Sequence, residues 1–185
     1  RSSVSIRYGG KARFYTDPFV KPLFPDGNAS TKMTLPFVAV AGVSKHIGAL
    51  TIEGDLLYTG WSSLNSYTIS FDNGMPNQFC YKDWVNTPSI ALGANYQWNN
   101  SFAVRCGYMY DRSPVPQRTM GPELPDNTRN IFTLGATYQK DLLKLNLGYQ
   151  ATLFKNAATN RSITGLNGTY RNFAHLILLG ITYNQ

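Results

Sequence analysis

Apolar and polar residues alternate with a period of two along most of the chain, and amphipathic helical spacing is hard to find anywhere. The alternation predicts eight strands, over 3–15, 35–45, 49–71 with a break near 62–64, 89–98, 101–111, 130–139, 142–154 and 170–183. Their connections are of two kinds: short turns at 46–48, 99–100 and 140–141, and long polar or Pro/Gly-rich loops at 16–34, 72–88, 112–129 and 155–169. A meander with tight turns at one end and long loops at the other is the layout of an antiparallel up-and-down β-barrel that crosses an outer membrane. By that rule the turns and the C-terminus are periplasmic and the loops extracellular.

The two faces of these strands differ sharply. One set of alternate positions reads Ile90, Leu92, Ala94, Tyr96 and Trp98, then Phe102, Val104, Cys106, Tyr108 and Tyr110, then Leu143, Leu145, Leu147, Tyr149, Ala151 and Leu153. The other reads Ser89, Ala91, Gly93, Asn95 and Gln97, then Ala103, Arg105, Gly107, Met109 and Asp111, then Lys144, Asn146, Gly148, Gln150, Thr152 and Phe154. The apolar set is expected to face lipid and the polar set the lumen. A soluble ligand-binding barrel needs the reverse, and burying Arg105, Lys144, Asn146 and Gln150 in an apolar core would leave costly polar groups without partners.

A short internal echo supports the register: LGANY at 92–96, LGATY at 134–138 and LGITY at 179–183 each precede a turn or the chain end, so Tyr96, Tyr138 and Tyr183 are expected in one aromatic girdle near the turns. Many lumen positions are Gly, Ala, Ser or Thr and would underfill a narrow eight-stranded barrel, which points to a wider barrel of which this is one arc. A closed eight-stranded barrel plugged by its own charged residues is the alternative.

Composition changes this picture little. The 185 residues are 43% hydrophobic and 14% aromatic with a formal net charge of +7, values that alternating lipid and lumen faces average to. No apolar run approaches the ~20 residues of a membrane helix; the longest, 174–181, is interrupted by Gly180. The opening RSSVSIRYGG has no Met, no apolar stretch and no cleavage site, so it is neither a signal peptide nor a natural start, and part of the protein is expected upstream. The basic residues are spread without a cluster that would suggest nucleic acid, and Cys80 and Cys106 read as unpaired.

The candidate chemistry is charge inside the lumen. Arg7, Lys11 and Arg13 stand at alternate positions of the first strand, and with Arg105 and Lys144 they are candidate groups for a carboxylate ligand. Equally, they can pair with lumenal acids, Glu53 and Asp55 above all, and neutralise the wall. Asp111, Arg112, Asp126 and Arg129 are expected to brace the long loop 112–129 against the rim. His46 and His175 have no neighbours at triad spacing, and no phosphate loop or metal spacing appears, so neither an enzyme nor a cofactor or metal is expected.

From Leu56 onward the chain resembles the FadL/TodX family of outer-membrane transporters of hydrophobic compounds. The resemblance rests on DLLYTGWSSL (55–64), FDNGMP (71–76), LGANYQWN (92–99), GYMYDRSPVP (107–116) and LPDNTRNIFTLGATYQ (124–139), with the pairing of RSPVP and LPDNTR the most specific. It implies a fourteen-stranded monomeric barrel, all-β, with an N-terminal plug in the lumen. Residues 1–185 would be a single region, the last eight strands, with plug and first strands absent. It implies passive uptake of hydrophobic molecules, long-chain fatty acids first, with aromatic hydrocarbons or a purely structural or adhesive barrel as alternatives. Outer-membrane lipid and lipopolysaccharide would be its surroundings. The chain ends TYNQ, where such barrels usually finish on an aromatic residue; Tyr183 is expected to take that role.

Overall fold

The computed structural model describes residues 1–122, 125–159, 162–163, 165 and 167–183. The final Asn184 and Gln185, which bear on the chain-end expectation, lie outside the described residues, as does Leu124 of the family motif. The described residues form thirteen antiparallel strands: β1 (Val4–Ala12), β2 (Gly27–Leu35), β3 (Val38–Ile47), β4 (Leu50–Thr59), β5 (Ser66–Phe71), β6 (Gln78–Tyr81), β7 (Thr87–Gln97), β8 (Phe102–Asp111), β9 (Arg129–Lys140), β10 (Leu143–Phe154), β11 (Ala157–Thr159), β12 (Gly168–Tyr170) and β13 (Phe173–Tyr183).

Seven of them form one twisted sheet in the order β13-β10-β9-β8-β7-β4-β3, which does not close on itself. Each pairs with its chain neighbour in this sheet, as an up-and-down barrel wall requires. The two-residue turns follow from backbone geometry: Gly48 at φ 60° turns β3 into β4, and Asp141 at φ 49° turns β9 into β10. At the third turn Asn99 Oδ1 accepts from the amides of Ser101 and Phe102, both at 2.9 Å.

The register settles the faces. Leu56, Ile90, Tyr110, Asn130, Leu153 and Phe173 lie in one cross-strand row, and Asp55, Ala91, Met109, Ile131, Thr152 and Ala174 in the next, on the opposite side. Every face assignment made from alternation in β7, β8 and β10 is consistent with these pairings. Tyr96, Tyr138 and Tyr183 share the apolar face, yet each sits two residues closer to the turns than the last, across two intervening strand steps. With a rise of about 3.4 Å per residue and a strand spacing of about 4.8 Å, that offset corresponds to strands tilted by about 35°. A girdle at one level therefore implies the tilt that barrel closure demands.

The first expected strand departs from the expectation in its company. β1 is not in the seven-stranded sheet; it pairs with β2, which forms inside the expected loop 16–34, and the order β1-β2-β5-β6 makes a separate four-stranded sheet. Likewise β6 and the start of β7 occupy part of the expected loop 72–88, and the expected break in 49–71 is the 3₁₀ turn Trp61–Leu64 between β4 and β5. The two sheets join through the chain path, since β2 runs into β3 across Pro36 and Phe37. They join also through Arg1 and Val38, whose backbones exchange two hydrogen bonds of 2.9 Å.

Candidate functional site

The inner face of the seven-stranded sheet is lined by short side chains, and a shallow groove of about 410 Å³ runs across it, bordered by Glu53, Asp55, Ala91, Gly93, Gly107 and Gln150 among others. Asp55 fills the space beside Gly42, where a β-carbon would stand 2.0 Å from its Oδ1, so this carboxylate reaches across β3 only because the neighbour is glycine. Among the described residues Glu53 and Asp55 make no ion pair with any basic residue. The expected pairing with Arg7, Lys11 or Arg13 does not form, because β1 belongs to the other sheet.

Arg105 projects into the lumen side of β8 and donates to Thr137 Oγ1, which in turn donates to Asn146 Oδ1 at 2.7 Å. The relay crosses β8, β9 and β10 on the diagonal: Arg105 sits opposite Gly135 and reaches Thr137 in the next inner row, where Thr137 stands opposite Asn146. Lys144 lies one inner position nearer the turn, opposite Gln139 and Thr182. From the sequence Asn146 reads as an inward polar residue but neither it nor Thr137 as a partner of Arg105, because that adjacency needs the register.

Arg7 and Lys11 share a face of the four-stranded sheet with Lys32, and Arg7 stands directly across from Lys32. Ser30, Ser66, Thr68 and Ser70 carry hydroxyls on the same side, around a polar groove of about 440 Å³ that Arg7 and Lys32 also border. Arg13 lies beyond the end of β1, near Lys21 and Asp26.

At the loop end the structure gathers three of the four expected rim residues. Arg129 donates from Nε to Asp111 Oδ2 at 2.7 Å and from a guanidinium nitrogen to Asp126 Oδ1 at 2.8 Å, while Ser89 and Ser113 donate to Asp111 and Asp126 at 2.6 and 2.8 Å. Arg129 also lies over the Phe154 ring at 5.6 Å. Arg112 is not part of this network: it follows Asp111 directly, so alternation turns it to the opposite face, and it is exposed.

Above the rim the loops make a small core of their own, which the sequence did not announce. Met120 and Thr87 are 2% exposed, Trp84 packs edge-on against Trp61 at 5.2 Å, and Leu64 is buried beside the same layer. Backbone acceptors are met by Thr119, Thr159 and Ser162, which donate to Lys82, Gln117 and Met120 carbonyls at 2.5, 2.9 and 2.9 Å. Arg118 pairs with Asp83 at 2.7 Å, and the hydrogen bond it donates to that carboxylate raises the guanidinium above its ordinary range. Farther out, Lys21 holds the Asp26 carboxyl below the usual carboxylate range, and Asn28 does the same for Asp72 through its side chain and backbone amide.

An open antiparallel wall with lipid-type residues on one face, short polar residues on the other, aromatic residues near its turns and long loops at the other end defines a section of a transmembrane outer-membrane barrel. A profile of outer membrane protein transport proteins (OMPP1/FadL/TodX) matches residues 1–184, and the chain belongs to that family. Outer membrane protein P1 of Haemophilus influenzae strain Rd is 30% identical over 82% of this chain and 35% of its own length. The long-chain fatty acid transport protein of Escherichia coli O6:H1 is 28% identical over 75% of this chain and 34% of its own. A crystal structure of a Pseudomonas aeruginosa FadL homologue superposes with a TM-score of 0.87 at 20% identity, covering 99% of this chain and 47% of that one, and shows the same fold. The chain thus spans about a third of the length of these curated relatives.

Proposed function

We propose that this chain is the C-terminal arc of an outer-membrane transporter that admits hydrophobic small molecules passively, long-chain fatty acids first. The observation that carries the reading is the wall itself: apolar outside, and inside a trough of small residues with isolated polar anchors, the surface a greasy ligand with one polar end needs. The names of the curated relatives add the acyl-chain substrate. Arg105, with no carboxylate partner among the described residues, is the anchor best suited to a ligand carboxylate, and Lys144 is the second. Arg7, Lys11 and Arg13 would act earlier, at the mouth.

In this reading the two open edges of the seven-stranded sheet are completed by the rest of a fourteen-stranded monomeric barrel with a plug, and the short turns and Tyr183 face the periplasm. The Asp111, Asp126 and Arg129 network braces the rim loop. Supporting it are the coverage of the relatives, the aromatic girdle and the unequal connections.

The test is uptake of labelled oleate by cells that lack their own transporter and carry the full-length protein. Uptake is expected, and R105Q with K144Q should weaken it about tenfold, the scale of a lost charge-assisted hydrogen bond. A folded, membrane-inserted protein that supports no uptake would sink the proposal in favour of a structural barrel.

A further inference from the structure

The rim of the barrel carries cations on both of its faces, and they are treated differently. On the inner face Arg129 is saturated by Asp111 and Asp126. On the outer face, one position or more beyond that row, stand Arg112, Lys155 and Arg171, and none of the three has a carboxylate partner among the described residues.

Their positions follow from the register. Asp111 pairs with Arg129 and Phe154 with Arg129, so the next residues of β8 and β10, Arg112 and Lys155, flank Thr128; the Lys155 amide donates to the Thr128 carbonyl at 2.8 Å, extending the ladder. Lys155 Nζ lies 5.6 Å over the ring of Tyr110, which belongs to the lipid-facing row, and this fixes the outer side. Arg171 lies in the two-residue link between β12 and β13, two residues before the outward Phe173, which pairs with Leu153. Its neighbour Asn172 donates to the Pro125 carbonyl at 2.7 Å, into the loop layer, while Arg171 itself is exposed.

Arg112 and Lys155 are two strand spacings apart, about 10 Å between backbones, a gap two long side chains close easily. Directly below them are Tyr110, Leu153 and Phe173, the last outward apolar and aromatic positions of the wall. A cationic row immediately beyond an apolar band sits at the depth of lipid head groups. Guanidinium and ammonium groups without internal partners suit phosphate, bidentately for Arg.

We propose that Arg112, Lys155 and Arg171 form a docking surface for the phosphates of a phosphorylated glycolipid in the outer leaflet. The assignment of that leaflet rests on the reading that the loops are extracellular. The contact would hold one lipid against the wall at β8 to β13 and would fix the depth at which the loop layer stands above the membrane.

The test uses the full-length protein in detergent micelles, with bound lipid counted by native mass spectrometry after addition of bisphosphorylated lipid A or its dephosphorylated form. The wild type is expected to retain the phosphorylated lipid at least tenfold better, R112Q/K155Q/R171Q to lose that preference, and R112K/K155R/R171K to keep most of it. K140Q, an outward cation at the turn end, should leave binding unchanged. Equal retention of both lipids by the wild type, or undiminished preference in the neutral triple variant, overturns the docking surface. An epitope inserted after Phe19 is read separately with antibody on intact cells. Its inaccessibility, with phosphate preference intact, overturns the choice of an outer-leaflet glycolipid while leaving the phosphate site standing.

Discussion

The seven-stranded sheet and the loop layer above it are built by one chain for two solvents. In the sheet the large apolar residues are on the outside: Leu92, Leu134, Leu147, Ile177 and Leu179 are all exposed on one face, whereas small or polar residues such as Ala103, Thr137 and Thr152 are the buried ones. In the loop layer the ordinary order returns, with Met120, Leu64 and Trp84 buried and charged Arg118 and Asp83 paired near the surface. The difference teaches that the wall is held by its backbone ladders and by lipid around it, while the loops must supply their own apolar contacts.

The largest effect should come from placing charge on the lipid side. Leu134→Arg, in the middle row with Ala94, Cys106, Tyr149 and Ile177, is expected to cost about 3 kcal/mol of stability in a bilayer. Thr133→Arg, one residue away and facing the lumen groove, should cost a small fraction of that. Urea unfolding in phospholipid vesicles measures both, and equal losses would mean the faces are misassigned. Next comes the loop core: Met120→Ala should cost about 2 kcal/mol, at the low end for a buried methionine because solvent lies close by. Its effect is expected as faster amide exchange in 81–86 and 112–122 with the seven-stranded sheet unchanged; exchange spreading into β8 and β9 would show that the two regions unfold as one.

Much of the wall was legible in the sequence because lipid on one side and short polar residues on the other make alternation unusually clean in β7, β8 and β10. Alternation tells which side a residue faces but not which strand stands beside it. That is why β1 was assigned to the wall although it pairs with β2, and why the basic row of Arg7 and Lys11 meets Lys32 rather than Glu53 and Asp55. β2 itself alternates, with Ala29, Thr31, Met33 and Leu35 on one side, yet Gly27, Asn28 and Ser30 read as turn chemistry and hid it. At the rim the same parity explains both outcomes. Asp111 and Arg129 fall on one face and meet, and Arg112, a single residue on, cannot join them. The loop core was the least legible, since its contacts join segments 61–64, 81–86, 112–122, 157–159 and 162–163 that share no periodicity.

The smallest effect separates the regions by pH. Asp26 accepts hydrogen bonds from Lys21 at 2.6 Å and from the Phe14 amide at 2.9 Å, and Asp72 accepts from the Asn28 amide and side chain at 2.6 and 2.7 Å. Both carboxyls are held below their ordinary value by these donors. A depressed folded value means the contribution is fully present above the ordinary aspartate value, near ~3.9, and is lost as pH falls from there through the folded value. Both groups are open to solvent, so only local change is expected: the Phe14 and Asn28 amides should exchange at an unchanged intrinsic-corrected rate from pH 7 to about 4 and lose protection below it. The seven-stranded sheet, in which no carboxylate accepts from a backbone amide among the described residues, should keep its protection at the same pH. Loss of the Asn28 protection already between pH 7 and 5 would assign the hold on β2 and β5 to something other than Asp72, and the four-stranded sheet would then stand on its backbone ladder alone.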